Sequence, residues 1–325
     1  ADVVGSLPKY FDKRYFDCRV ILPKYMCMSD KVKSMMRYRT HFYMDFMGMN
    51  EYVGIMETEY EGITYYFIDN EKFFNGFKPY GDNIVEEISK FVFFSKAALS
   101  ILPVIDFRPD VIHCHDWQTG LVPVFLRTFY GDQRCYSNIR TVFSVHNLKF
   151  QGRFSLPAVI DITGLPEQIF SSDKLESYGE ANYLKGGVVY ADAVTTVSPT
   201  YAREIMTPEG GEGLDGLMRA REGSLYGILN GIDIVVGGSI IIPMDIRVED
   251  TTISITMNGR YIKNPMINAI LNSLIINAGI SISVGISSSE AIEPASNPLI
   301  FKNVSKSLFE VCFSINVRSG LIPVS

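Results

Sequence analysis

Apolar positions in the first two thirds of the chain fall into short runs separated by stretches of helical spacing. Residues 141–145 (TVFSV) form an apolar run with β-branched members, which predicts a buried strand. It stops at His146 and Asn147, two polar side chains that no core would ask for. Residues 110–114 (DVIHC) begin a second run, which breaks into His115, Asp116 and Trp117, the only tryptophan. Residues 118–130 then open as an amphipathic helix. The same reading gives strands at 17–23, 193–197 and 225–229. It gives extended runs at 52–56 and 63–68 joined by Glu61-Gly62, and helices at 2–14, 85–102, 182–190 and 200–206. Ser198 supplies an N-cap and Pro199 a first helical residue for the last of these. Tyr80, Gly81 and Asp82 form a loop, and the PEGGEG stretch at 208–213 precedes a short helix from Leu214. Strands and helices alternate, which predicts an α/β fold with a doubly wound sheet.

In such sheets the carboxyl ends of parallel strands form the crevice that binds ligands, so strands ending in His-Asp-Trp and His-Asn predict a site. Trp117 and Asp116 suit a sugar, with an aromatic face for its C–H side and a carboxylate for its hydroxyls. Structural roles compete. His146 and Asn147 can be satisfied by backbone at a strand end, Asp116 can cap the following helix, and Tyr80 can pack on the hairpin. Asn230 and Asp233, after the strand at 225–229, can make an Asx turn. His113 and His115 share one strand face, yet no carboxylate or thiol cluster completes a metal set, so no metal is expected. The glycines at 209–213 follow a helix and not a strand, which favours loop flexibility over a phosphate cradle.

Past Asp233 the character changes. Residues 234–325 are rich in isoleucine and serine and poor in charge, and the α/β rhythm is lost. Alternation at 253–257 before Asn258-Gly259 predicts a hairpin, and 281–286 also alternates. The expected division is therefore 1–233 as one domain and 234–325 as an unassigned tail with some β character.

Composition narrows the function classes. With 325 residues, 47% of them hydrophobic, the chain is long enough for two domains and a packed core. A net charge of −6 argues against a nucleic-acid surface, which needs a basic face. The five cysteines match neither a disulfide framework nor a CxxC metal pattern, which points to a reducing compartment. No uninterrupted apolar run reaches membrane-spanning length, and no secretory signal is visible.

Seven segments in order carry a family resemblance: ADVVGSLPK (1–9), VILPKY (20–25), IHCHDWQTGLVP (112–123), TVFSVHNLKFQG (141–152), YLKGGVVYADAVTTVSPTYAREI (183–205), EGGEGLDGL (209–217) and GILNGID (227–233). Over 1–233 the sequence resembles the starch and glycogen synthases, retaining glucosyltransferases with two Rossmann-like domains in the GT-B arrangement. The resemblance implies transfer of glucose, usually from ADP-glucose, to the non-reducing end of an α-1,4-glucan, with no cofactor or catalytic metal and in the cytoplasm or a plastid. It implies that the chain corresponds to the acceptor-side domain. His146 would contact the transferred glucose with Asn147 beside it, Asp116 and Trp117 would lie on the acceptor side, Tyr80 near the donor sugar, and Asn230 at the crossing between domains. Two family features are not in this sequence: the Lys-x-Gly-Gly-Leu loop that precedes the residues matching Ala1-Asp2, and the second Rossmann domain, where 234–325 stands instead. The expectation is an incomplete glucan synthase without turnover of its own. The alternative is a non-catalytic glucan-binding fragment or pseudoenzyme.

Overall fold

The apolar runs become strands of one mixed sheet, and each strand end that breaks into polar residues lies at its rim. The structure, a computed structural model, describes residues 2–76, 79–81 and 83–230, together with strands at 245–249, 252–256 and 312–317. The strands in chain order are β1 (Phe16–Pro23), β2 (Arg37–Phe46), β3 (Met49–Tyr60), β4 (Ile63–Asp69), β5 (Val111–His115), β6 (Arg140–Val145), β7 (Arg153–Ser155), β8 (Glu176–Ser177), β9 (Glu180–Asn182), β10 (Ala193–Thr196), β11 (Leu225–Gly227), β12 (Asp245–Glu249), β13 (Thr252–Thr256) and β14 (Cys312–Val317). The helices are α1 (Asp2–Ser6), α2 (Asp30–Met35), α3 (Glu71–Phe74), α4 (Ile84–Val104), α5 (Leu121–Phe125), α6 (Leu156–Thr163), α7 (Tyr183–Tyr190), α8 (Pro199–Glu204) and α9 (Asp215–Ala220).

Two compact units appear: Ala1–Ile232 with Leu299–Ser325, and Asp233–Pro298. In the first, nine strands lie in the order β11-β10-β6-β5-β14-β1-β4-β3-β2. β5, β6, β10 and β11 run parallel, as do β1 and β4. β14 lies between β1 and β5, antiparallel to both. β7, β8 and β9 form a separate small sheet. In the second unit, β12 and β13 pair antiparallel.

The parallel half follows the apolar runs because both its faces are covered. Phe143 and Val145 of β6 and Cys114 of β5 are fully buried, and α4 supplies Phe91, Phe93 and Phe94 from one side. Phe93 stacks on Phe73 at 4.2 Å and meets Phe46 edge-on at 5.5 Å, which ties the hairpin strands to α4. Glu61 (φ 52°) and Gly62 (φ 71°) make the expected turn between β3 and β4.

Several expectations are corrected. The helix expected over 2–14 stops at α1 and continues only as a 3₁₀ turn, Leu7–Tyr10, because Pro8 has no N–H to donate to the ladder and its ring crowds the preceding turn. The segment expected as one amphipathic helix over 118–130 is instead a 3₁₀ turn (Trp117–Thr119), α5, and a π turn (Leu126–Tyr130). It is not amphipathic: all five residues of α5 are buried, since α5 packs against both α4 and α7. β2 was not foreseen, although Phe42, Met44 and Phe46 alternate with His41, Tyr43 and Asp45 and burial follows that alternation. It pairs with β3 across Met47 (φ 55°) and Gly48 (φ 72°), so the first half contains a β2-β3-β4 meander and not unbroken α/β alternation. β13 pairs back to β12. Asp82, Asn258-Gly259, 281–286 and Asp233 lie outside the described residues.

Ser198 caps α8 as expected, its Oγ accepting the Tyr201 N–H at 2.9 Å, with Pro199 in the first turn. Ser198→Ala is expected to cost about 1 kcal/mol, read as a lower urea midpoint with an unchanged m-value.

Candidate active site

β5 and β6 pair in parallel register with His115 beside Ser144, so the residues that follow each strand emerge side by side. A direct bond joins them. Asp116 Oδ1 accepts the His146 N–H at 2.8 Å, while the Asp116 N–H donates to Ser144 O at 2.9 Å. Asp116 adopts φ 56°, ψ −178°, a region that non-glycine residues enter only when their surroundings hold them there. Its side chain does not cap the turn after it, so the capping alternative gives way to this cross-strand bond. Burial pushes the Asp116 carboxyl up to about 6, although the His146 N–H it accepts pulls the other way.

The loop after β6 is fastened at both ends. Leu148 is fully buried, and its N–H donates to Tyr201 Oη at 3.1 Å. Gln151 Nε2 donates to Glu212 O at 2.9 Å, and Gln151 Oε1 accepts from Asn182 Nδ2 at 2.6 Å. Beside and between these anchors Asn147, Lys149 and Phe150 are exposed. Asn147 Oδ1 accepts the Lys149 N–H at 3.0 Å, a local Asx turn that leaves its amide N–H₂ as the group for a ligand.

The His146 ring is partly exposed and lies against His115, with His146 Nε2 2.9 Å from His115 Nδ1. Burial lowers His146 to about 4 and holds His115 well below its ordinary value. His146 therefore works as a neutral hydrogen-bonding group at pH 7, not as a cation.

Trp117 and Tyr80 form an adjoining cluster. Phe91 meets Trp117 edge-on at 4.7 Å, Phe154 lies at 5.7 Å and Tyr80 at 6.1 Å. Gly152, at φ 61°, passes so close that an added Cβ would sit 2.2 Å from the indole. Trp117 is thus half-packed, one wall of the site more than a free platform. Tyr80 Oη accepts from Gln118 Nε2. Its loop hangs on a buried ion pair of α4: Glu87 Oε1 accepts the Gly81 N–H at 2.7 Å, and Lys90, paired with Glu87, donates to Pro79 O at 2.8 Å.

The structure therefore brings Asp116, His146 and Asn147 together, and joins Trp117 to Tyr80 beside them. Asn230 is not among them. It is exposed, just past β11, which β10 separates from β6. Sequence reasoning missed the roles of Gln118, Gln151, Asn182 and Tyr201, whose side chains hold the loops that carry the site. It counted His115 in the polar strand end and weighed it as a metal ligand, without foreseeing its contact with His146. Among the described residues no group of three or more His, Cys, Asp or Glu is placed to hold a metal ion.

Residues 1–220 match the family model for the starch synthase catalytic domain. The chain is 60% identical over 233 residues to a glycogen synthase of Lachnospira eligens and 62% identical over 233 residues to one of Lachnoclostridium phytofermentans, covering 72% of this chain and 48% of each relative. The chain thus spans about half the length of the curated relatives it matches. Among solved structures, the catalytic domain of starch synthase IV from Arabidopsis thaliana, bound to ADP and acarbose, superposes with a TM-score of 0.60 at 35% identity, covering 66% of this chain and 44% of that one. The sheet of the first unit is accordingly the Rossmann-like amino-terminal half of a GT-B glycosyltransferase. With a family model matched over residues 1–220, the chain belongs to the starch synthase catalytic-domain family of glycosyltransferases.

Proposed function

We propose that residues 1–233 are the acceptor-side domain of an α-1,4-glucan synthase of the glycogen and starch synthase type, which moves glucose from ADP-glucose to the non-reducing end of a glucan with retention of configuration. The observation that carries this reading is the bond from the His146 N–H to Asp116 Oδ1. It fixes two strand ends to each other and sets a neutral imidazole and an amide along one rim, with the buried Asp116 carboxyl behind them. Neutral donors and acceptors on a rigid edge suit sugar hydroxyls, which carry no charge to be matched. The ADP and acarbose bound in the Arabidopsis structure support a nucleotide and a carbohydrate as the ligand pair.

In this reading His146 and Asn147 hold the hydroxyls of the transferred glucose. Asp116 and Trp117 bound the acceptor side, Tyr80 borders the donor sugar, and Asn230 marks the crossing to the nucleotide-holding lobe. The chain's own contribution is orientation, which lowers the barrier by holding the reacting groups in place. A cytoplasmic setting is carried over from the family resemblance, and no helix among the described residues is long and apolar enough to cross a membrane.

The test pairs calorimetry with maltohexaose and incubation with labelled ADP-glucose. Saturable binding without label is the result expected of an acceptor-side domain that lacks turnover of its own, and it is equally what the second reading, a glucan-binding fragment, requires. Label entering the glucan would refute the reading of the chain as an incomplete synthase. Neither binding nor label overturns both.

A further inference from the structure

Beneath the rim, polar side chains form a seam across three adjacent strands. Thr195 of β10 and Ser144 of β6 are joined through their hydroxyls at 2.5 Å, and Ser144 Oγ lies 2.7 Å from His113 Nε2 on β5. The His113 ring lies 4.2 Å from that of His115, and His115 Nδ1 reaches His146 Nε2 at 2.9 Å. His115 is 1% exposed, so no ligand reaches it.

We propose that His115 is a positioning residue that locks the His146 imidazole into one neutral tautomer and one orientation before any sugar arrives. The inference rests on reading His146 as the sugar-contacting group. A neutral imidazole carries one N–H and one bare nitrogen. Two neutral rings meeting nitrogen to nitrogen at hydrogen-bond distance must place a single proton between them. If His115 donates from Nδ1, His146 accepts at Nε2 and its own proton sits on Nδ1. If His146 donates from Nε2, its Nδ1 is bare and the His115 proton sits on Nε2. The two rings are thus always the same tautomer, and His146 Nδ1, the nitrogen left for a ligand, has one preset role.

Depressed basicity of both rings keeps the pair neutral at pH 7. The backbone does the rest. Asp116, the residue after His115, holds the His146 N–H, so consecutive residues of one strand end fix both the main chain and the ring of the other. On the far side His113, itself tied to Ser144, packs on the His115 ring. Ring stacking at 5.2 Å and 21° between His115 and His146 limits rotation further.

Long-range ¹H–¹⁵N correlation spectra of the histidine-labelled chain at pH 7.5 report which nitrogen of each of the four histidines carries the proton. The expected result is that His115 and His146 occupy one and the same tautomer, with the two His146 nitrogens fully split. His115→Phe keeps a buried ring but removes Nδ1. It should collapse the His146 nitrogens towards a common averaged shift and weaken maltohexaose binding by about three- to tenfold. His115→Asn places a donor and an acceptor near the lost Nδ1 and should restore both the splitting and the binding. Unlike tautomers or averaged His146 nitrogens in the unmodified chain overturn the proposal, and that spectrum needs no variant to fold. Unchanged His146 splitting in His115→Phe overturns it equally. The spectra are recorded without glucan, so a locked His146 in a chain that binds no maltohexaose would sink the functional reading alone. Binding alongside an averaged His146 would sink only the lock.

Discussion

Acidification from pH 7.5 to 4 is expected to remove about 4 kcal/mol or more of folding stability, a large share of the 5–15 kcal/mol that holds a typical domain together. His113 and His146 are each held near 4 in the folded chain, against 6.5 when free, chiefly by burial. A histidine with a lowered folded value stabilises the fold fully above 6.5 and loses that contribution as the pH falls towards 4. Each loss is worth about 3 kcal/mol, and His115 adds to it in the same direction. Asp116 works the other way. Its carboxyl rises from 3.8 to about 6, so it penalises the fold above 6 and gives back about 3 kcal/mol as the native carboxyl takes its proton. Urea unfolding at a series of pH values should show stability falling steeply below 6.5. Asp116→Asn, which keeps an acceptor for the His146 N–H but cannot titrate, should make the fall steeper. A flat profile between 6.5 and 4, or an Asp116→Asn profile shallower than that of the unmodified chain, would contradict these histidine and aspartate environments.

Gly120→Ala is expected to destabilise the chain by at least about 4 kcal/mol, enough to prevent stable folding. An added Cβ would lie 2.0 Å from Tyr183 O and 2.6 Å from Tyr183 C, so main chain meets main chain and no rotamer can relieve the overlap. Gly120 has φ −61°, so its requirement is closeness and not conformational freedom. The contact is where the turn carrying Trp117 docks on α7, and its loss would displace the aromatic wall of the site. Gly164 is the internal control. It ends α6 in the left-handed region at φ 65° with nothing within 4 Å of an added Cβ, so Gly164→Ala should cost only about 1 kcal/mol. Chemical denaturation of both variants decides the matter, and similar losses in the two would contradict the close approach of Gly120 to Tyr183.

The strands that define the site were readable because they are buried on both faces and stop abruptly. The runs ending at His115 and Val145 are each followed at once by polar or aromatic residues, Asp116-Trp117 and His146-Asn147, which marks both strand ends. The hairpin turn at Glu61-Gly62 and the cap at Ser198 were readable because the chemistry that sets them is local. α5 misled because its burial against two helices is a tertiary fact, invisible in a window of 13 residues taken alone. β2 was overlooked although Phe42, Met44 and Phe46 alternate with exposed neighbours, because the charged and aromatic residues around them, Arg37, Tyr38, Arg39 and Tyr43, dilute that pattern. The cross-strand bond from His146 to Asp116, the Gln151-Asn182 link and the His115 contact all join residues about 30 positions apart. Spacing along the chain carries no sign of them.

The central claim is that the joined ends of β5 and β6 are where a glucan binds. It is tested most directly by ¹H–¹⁵N amide spectra of the chain titrated with maltohexaose. The account predicts saturable shifts concentrated at Asp116, Trp117, His146, Asn147 and Lys149, abolished by His146→Ala. No shifts at saturating glucan, or shifts confined to the β2-β3 hairpin, would contradict it.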